Sequence, residues 1–286
     1  MTARLLAVLL AFAAGTGAAA APARVLPGIV GDDDRHIVSP REYPWSAVGR
    51  LNTGSGPRCT GTLVAPDRVA TAAHCLFNRR TGHPVRPESV HFLAGYGRGE
   101  WLATARAVAI RRGAEGPPGD PARDWAIVTL ARPIGRQVGW IAPAEPAPGA
   151  VVGLMRAGYG QDRAHLPMAV LGCAARTTAG DRPVLIHDCD AVRGDSGSAL
   201  LAVRDGRVVL LGIHSGHARR PDGTVGVAAS AAAWRPLFRD WPDSRPPPAG
   251  AGVDPRPTRT VRELAGRTRR TAPNPSLEEL GLLLRP

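Results

Sequence analysis

The chain has 286 residues, 44% hydrophobic and 21% charged, which is ordinary globular usage and excludes wholesale disorder. Its 36 cationic side chains against 24 acidic ones leave a net charge of +12, and every cation is an arginine. These arginines are scattered, with no aromatic platform between them, so no nucleic-acid partner is expected.

Residues 1–20 have the three-part layout of a secretory signal peptide. A charged Arg4 precedes the apolar run Leu5–Ala14, and small residues follow with an Ala-x-Ala site near Ala18–Ala20. The apolar run is too short to span a bilayer. No later segment approaches the length of a membrane helix, so a secreted or periplasmic protein without a transmembrane segment is expected.

Four cysteines, Cys59, Cys75, Cys173 and Cys189, suit an oxidising compartment and allow three pairings. Cys59 with Cys75, and Cys173 with Cys189, would each staple one short excursion, worth about 3 kcal/mol in the chain-entropy account. No Cys-x-x-Cys or His-Glu-x-x-His occurs. A metal site therefore has no support, and no cofactor is expected.

Past the leader, short apolar runs alternate with turn chemistry. Thr60–Val64, Val69–Ala72, Ser89–Ala94, Arg106–Ile110, Ala126–Leu130, Val151–Met155, Val184–His187, Val208–Ile213 and Val225–Ala229 read as strands. Gly/Pro/Asp clusters such as 113–120 punctuate them. Many closely spaced strands without alternating long helices predict an all-β sandwich or barrel. One core helix is predicted at 231–240. From Pro242 to Pro286 the chain is rich in proline and arginine and reads as a disordered tail. Within it, Ser276 and Glu279 have capping-box spacing ahead of a leucine-rich end.

Three segments carry chemistry. Thr71-Ala72-Ala73-His74-Cys75 follows one apolar strand, Asp124 opens another, and Gly194-Asp195-Ser196-Gly197-Ser198 precedes Ala199-Leu200-Leu201. A serine hydroxyl is a weak nucleophile at neutral pH and needs an adjacent base. Histidine has the right basicity, and a buried carboxylate would hold its tautomer. Glycines beside the serine permit a tight turn whose N–H groups stabilise an oxyanion. The order His…Asp…Ser is one of the three in which this constellation occurs. The Gly-x-Ser-x-Gly elbow of esterases is not matched, because Ser198 stands two residues after Ser196.

On these residues the chain resembles the trypsin-like, chymotrypsin-fold serine proteases from about Ile29 to Asp240. Tyr43-Pro44-Trp45, Cys59-Thr60-Gly61, Ala157-Gly158-Tyr159-Gly160 and Ile213-His214-Ser215-Gly216 resemble further family stretches. The protease domain is accordingly taken as 29–241. The resemblance implies two packed six-stranded antiparallel β-barrels with a short C-terminal helix and the site between them. It implies His74 as general base, Asp124 orienting it, Ser196 as nucleophile, and N–H groups of Gly194 and Ser196 as the oxyanion hole. It also implies the Cys59–Cys75 bridge, with Cys173–Cys189 matching more loosely. A monomeric endopeptidase acting on protein or peptide substrates is expected. The compact Asp124–Ser196 interval resembles the exported bacterial branch.

Two family features are less direct. Ile29-Val30-Gly31 resembles a zymogen's released N-terminus, whose amine would pair with Asp195. Gly28 rather than a basic residue precedes it, which favours a plain N-terminal segment. For P1, the residue before the scissile bond, Asp190 stands where trypsins bind arginine or lysine. His214 matches a histidine of glutamate-specific relatives. Of the two, Asp190 and a basic P1 are preferred, with Ser215 and Gly216 along the substrate strand. The alternative function is a silent or latent family member that binds an anionic surface through the arginines of 256–270.

Overall fold

A computed structural model describes residues 26–263 apart from 55–57, 116–118, 182, 222, 239, 257, 258 and 260. The proposed leader and the leucine-rich end lie outside the described residues.

Two closed barrels make up the body. The first takes its six strands in the order β2 (Val48–Thr53), β3 (Cys59–Ala65), β4 (Arg68–Thr71), β7 (Ala126–Leu130), β6 (Ala103–Arg112) and β5 (Val90–Ala94). The second runs β8 (Ala150–Gly158), β9 (Met168–Thr177), β10 (Val184–His187), β13 (Gly223–Ser230), β12 (Arg207–Arg220) and β11 (Ala199–Arg204), and β11 closes on β8. A short β1 (His36–Ile37) adds to the edge of β9. All pairings between these strands are antiparallel, as short strands joined by tight turns require.

Each predicted strand lies in this set. Three more strands, β2, β9 and β11, complete the barrels. The sequence of β9, MAVLGCAART, breaks its apolar pattern at Gly172 and Cys173, which hides it from a period-two reading.

Small residues opposite large ones fill the barrels. In the first, Phe92 is fully buried, and a Cβ on Gly49 would lie 2.6 Å from its ring. Gly61 faces the same ring and Val69, so two glycines make the room that one phenylalanine occupies. The interior of the second barrel is Leu154, Val170, Leu185, Leu200, Leu211 and their neighbours. Cys59 is bridged to Cys75 and Cys173 to Cys189, one staple in each barrel.

The helix predicted at 231–240 is present as two 3-10 turns, Ala231–Ala233 and Arg235–Leu237. Ser230 caps the first by accepting from the Ala232 N–H, and Pro236, which has no N–H to donate, prevents a continuous ladder. Residues 259 and 261–263 are helical.

Composition predicts disorder after Trp241, yet 242–256 packs on the body. Trp140 and Arg245 exchange backbone hydrogen bonds of 2.9 and 3.0 Å, and the Trp140 indole donates to the Asp243 carbonyl at 2.8 Å. Ser244 accepts from the Ala142 N–H and donates to the Val208 carbonyl, while Tyr43 N–H donates to Asp254. Gly139, at φ +86°, permits the approach, since a Cβ there would sit 2.8 Å from the Arg245 carbonyl. A proline-rich chain has few donors of its own. Its extended carbonyls and remaining N–H groups can still pair with edges that composition does not reveal.

Candidate active site

Strand pairing brings the first two candidate residues together. Thr71 at the end of β4 lies opposite Ala126 at the start of β7, so the 3-10 turn carrying His74 and the turn ending at Asp124 leave the same barrel mouth. Asp124 is buried, at 3% exposure, and receives three bonds. Its Oδ1 accepts the His74 backbone N–H at 2.9 Å and its Oδ2 takes His74 Nδ1 at 2.7 Å. Ser215 Oγ donates to the same Oδ2. Nδ1 as donor to a carboxylate leaves Nε2 as the basic nitrogen. Ser215 reaches Asp124 because the β12–β13 register slips between His214 and Gly216, which turns its side chain out of the ladder.

Ser196 is half-buried on a turn leading into β11. Asp195 N–H donates to the Val192 carbonyl at 3.0 Å, and Val192 N–H returns a bond to Asp195 Oδ2 at 2.9 Å. Two glycines make the turn possible. Gly194 has φ +101° and Gly197 has φ +85°, and a Cβ on Gly197 would fall 2.2 Å from the Thr60 carbonyl. The Ser196 carbonyl accepts from Thr60 N–H at 2.9 Å, which ties the turn to the first barrel. Among the described residues, the N–H groups of Gly194 and Ser196 donate to no acceptor.

Beneath the turn lies Arg156 of β8. Arg156 and Asp195 form an ion pair of 3.1 Å with both side chains wholly buried. The same guanidinium donates to the Asp190 carbonyl at 2.6 Å and to Ser198 Oγ at 3.2 Å. Asp195 therefore meets an internal cation. The Ile29 N–H donates to the Leu26 carbonyl, away from Asp195. Arg156 was not anticipated, although an arginine inside the apolar run of β8 is a signal the sequence carries.

A cavity of about 520 Å³ opens beside Ser196, and His214, Gly216 and His217 line it. Asp190 does not, which corrects the preferred reading of P1. It is 2% exposed, and its two oxygens accept the backbone N–H groups of Val30 at 2.7 Å and Asp34 at 3.2 Å. Counting residues reached the right loop but not the direction of the side chain. Of the acids, only Asp162 lines the cavity among the described residues, and Arg35 pairs with it at 2.8 Å. Arg193 adds a positive charge to the lining.

Behind His214 stands another histidine. His187 Nε2 and His214 Nδ1 are 3.1 Å apart, and the His214 ring stacks edge-on against His217 at 5.1 Å. Burial pushes His187 down to about 3, helped by the nearby Arg156 charge. Burial, then His187 and His217, hold His214 well below the ordinary imidazole range. Both are neutral at physiological pH. His187 and His217 escaped the sequence reading because nothing in their spacing marks them as neighbours of His214 in space.

Metal-type donors cluster in two places among the described residues, Cys59-His74-Cys75 and Cys173-Asp188-Cys189. Each contains both sulfurs of a disulfide, which leaves no thiolate to act as ligand. No helix among the described residues is long and apolar enough to cross a membrane.

The comparisons with known proteins agree with this fold. The sequence pattern of the family described as trypsin matches residues 33–238. Serine protease 23 of Bos taurus is 27% identical over 229 residues, covering 66% of this chain and 57% of that protein. A glutamyl endopeptidase of Bacillus licheniformis is 26% identical over 116 residues, 40% of this chain and 36% of that protein. The chain thus spans little more than half the length of the former and a smaller part of the latter. A solved Glu endopeptidase superimposes with a TM-score of 0.56 at 22% identity, over 71% of this chain and 93% of that one, and so shares the fold. The chain belongs to the trypsin family of chymotrypsin-fold serine proteases.

Proposed function

We propose that the chain is an exported serine endopeptidase that cleaves after acidic residues through an acyl-enzyme on Ser196. The observation that carries the catalytic reading is the His74–Asp124 pair held by two bonds of 2.7 and 2.9 Å, with the Ser196 turn tied to the same barrel through the bond from Thr60 N–H to the Ser196 carbonyl. His74 Nε2 takes the proton as Ser196 Oγ attacks the scissile carbonyl. Asp124 stabilises the imidazolium, and the N–H groups of Gly194 and Ser196 receive the developing oxyanion. The protonated Nε2 then gives its proton to the departing amine. Water, deprotonated by the same nitrogen, hydrolyses the ester. Because Arg156 already supplies the cation that holds Asp195, this turn is assembled without a released N-terminal amine.

The lining of the cavity supports an acidic P1. His214, His217 and Arg193 offer donors or positive charge, and Asp162, the one lining acid among the described residues, shares the Arg35 guanidinium with Asp33. Similarity to a protein named glutamyl endopeptidase points the same way. Export is supported by the leader-like residues 1–20 and by the two disulfides.

Fluorophosphonate labelling of the secreted protein, with Ser196→Ala as control, tests the nucleophile. Labelling lost in the variant is expected, with peptide cleavage reduced about a million-fold. A peptide library read alongside is expected to give cleavage after glutamate or aspartate. Cleavage after arginine would overturn the acidic reading, and absence of labelling would overturn the enzymatic one in favour of a silent binding protein.

A further inference from the structure

Part of the cavity wall is built from the chain's own N-terminal segment. Leu26 and Pro27 line the same space as Ser196 and His214. The segment is fastened at three points. Ala191 N–H donates to the Gly28 carbonyl at 3.0 Å, and Gly28, at φ +96°, lies so close that a Cβ would meet the Ala191 carbonyl at 2.0 Å and the His217 ring at 2.6 Å. Asp190 then clasps the Val30 and Asp34 N–H groups with its two oxygens. Finally Arg35, its side chain wholly buried, bonds Asp33 at 2.8 Å and reaches Asp162, itself a lining residue, at 2.8 Å.

We propose that residues 26–35 are a specificity strap, in which Leu26 and Pro27 form the apolar wall for the stem of the P1 side chain and Asp190 and Arg35 are positioning residues that seat it. The inference rests on the reading that this cavity receives an acidic P1. A carboxylate that reaches His214 and His217 must carry its methylenes past the strap. Glutamate has one more methylene than aspartate to lay against Leu26 and Pro27, and an apolar wall rewards that group by a factor of roughly 10 to 200. The wall also keeps water from the histidine–carboxylate bond, which strengthens it. Asp190, which stands where trypsins bind a basic P1, acts on the substrate only through the strap.

The test uses the full secreted chain and four peptide substrates that differ only in glutamate, aspartate, glutamine or arginine at P1. In Leu26→Gly/Pro27→Gly, KM for the glutamate substrate is expected to rise about tenfold, more than kcat falls, and the glutamate-to-aspartate ratio of kcat/KM to drop towards one. Asp190→Asn is expected to lower the same ratio and to speed hydrogen exchange at the Val30 and Asp34 amides, a readout of strap release that a general loss of stability would not confine to those positions. A ratio and KM unmoved by Leu26→Gly/Pro27→Gly, with the unmodified chain cleaving after acidic residues, would overturn the strap alone. An unmodified chain that cleaves after basic residues or not at all would overturn the acidic reading and the strap with it.

Discussion

The two barrels have the same number of strands but bury different things. In the first, Phe92, Leu51, Leu63 and Ile127 fill the interior, and buried charge among the described residues is limited to Asp124 at the mouth and Arg50, which lies 4.4 Å from the centre of the Tyr96 ring. In the second, Arg156, Asp195, Asp190, His187 and His214 are all at 2% exposure or less. A base and its acid need only be brought to one edge, which ordinary apolar packing achieves by pairing β4 with β7. A turn that holds two glycines at positive φ and aims N–H groups outward needs more. It is held from beneath by charge, at a desolvation cost that a purely apolar barrel avoids.

The largest effect that sharpens this contrast is on catalysis from the first barrel. Asp124→Asn preserves size but favours the wrong tautomer of His74, and kcat for peptide cleavage should fall about ten-thousand-fold with the fold intact by circular dichroism. Next comes the second barrel. Arg156→Met leaves Asp195 buried without its cation and should lower the unfolding free energy by about 3–5 kcal/mol in urea titration. Adding Asp195→Leu should restore most of that stability but not the rate, because the bond to Val192 N–H that shapes the turn is gone. A fully active double variant would break the comparison.

A smaller effect separates the barrels by pH. His187 and His214 are held below their ordinary range by burial, so the folded state binds fewer protons than the unfolded one below about pH 6.5. Their contribution is complete above that pH and is lost as pH falls towards 3, the direction in which His187→Leu should flatten the stability curve measured by thermal melts. The smallest expected effect is at the surface. Arg207 and Asp243 pair at 2.7 Å but are 62% and 85% exposed, so Arg207→Ala should shift stability by less than about 0.5 kcal/mol.

Legibility in the sequence follows the same division. His74, Asp124 and Ser196 could be found because each lies in a short motif whose flanking residues state its geometry: an apolar strand, a buried strand mouth, a pair of glycines. The strands with clean apolar runs could be found for the same reason. Cys59–Cys75 and Cys173–Cys189 are local enough that spacing alone favoured them among three pairings. The Arg156–Asp195 pair joins β8 to a turn some forty residues on, and the His187–His214 contact reaches from β10 to β12 past Gly226 of β13; no local pattern encodes either.

Asp190 marks the boundary most clearly. Its position in the chain was countable, and its loop borders the cavity beside Ser196 through Val192 and Arg193. Which way its carboxylate points depends on the N–H groups of Val30 and Asp34, one hundred and sixty and one hundred and fifty-six residues away. The packed course of 242–256 is a similar case, since proline-rich chain becomes ordered only where the body offers edges to pair with. Periodicity and motif spacing are short-range quantities, and they determined the class of fold and singled out the residues of the proposed catalytic constellation. The direction of a buried side chain is a long-range quantity, because a buried polar group must find its partner wherever the closed barrels bring one within hydrogen-bond reach.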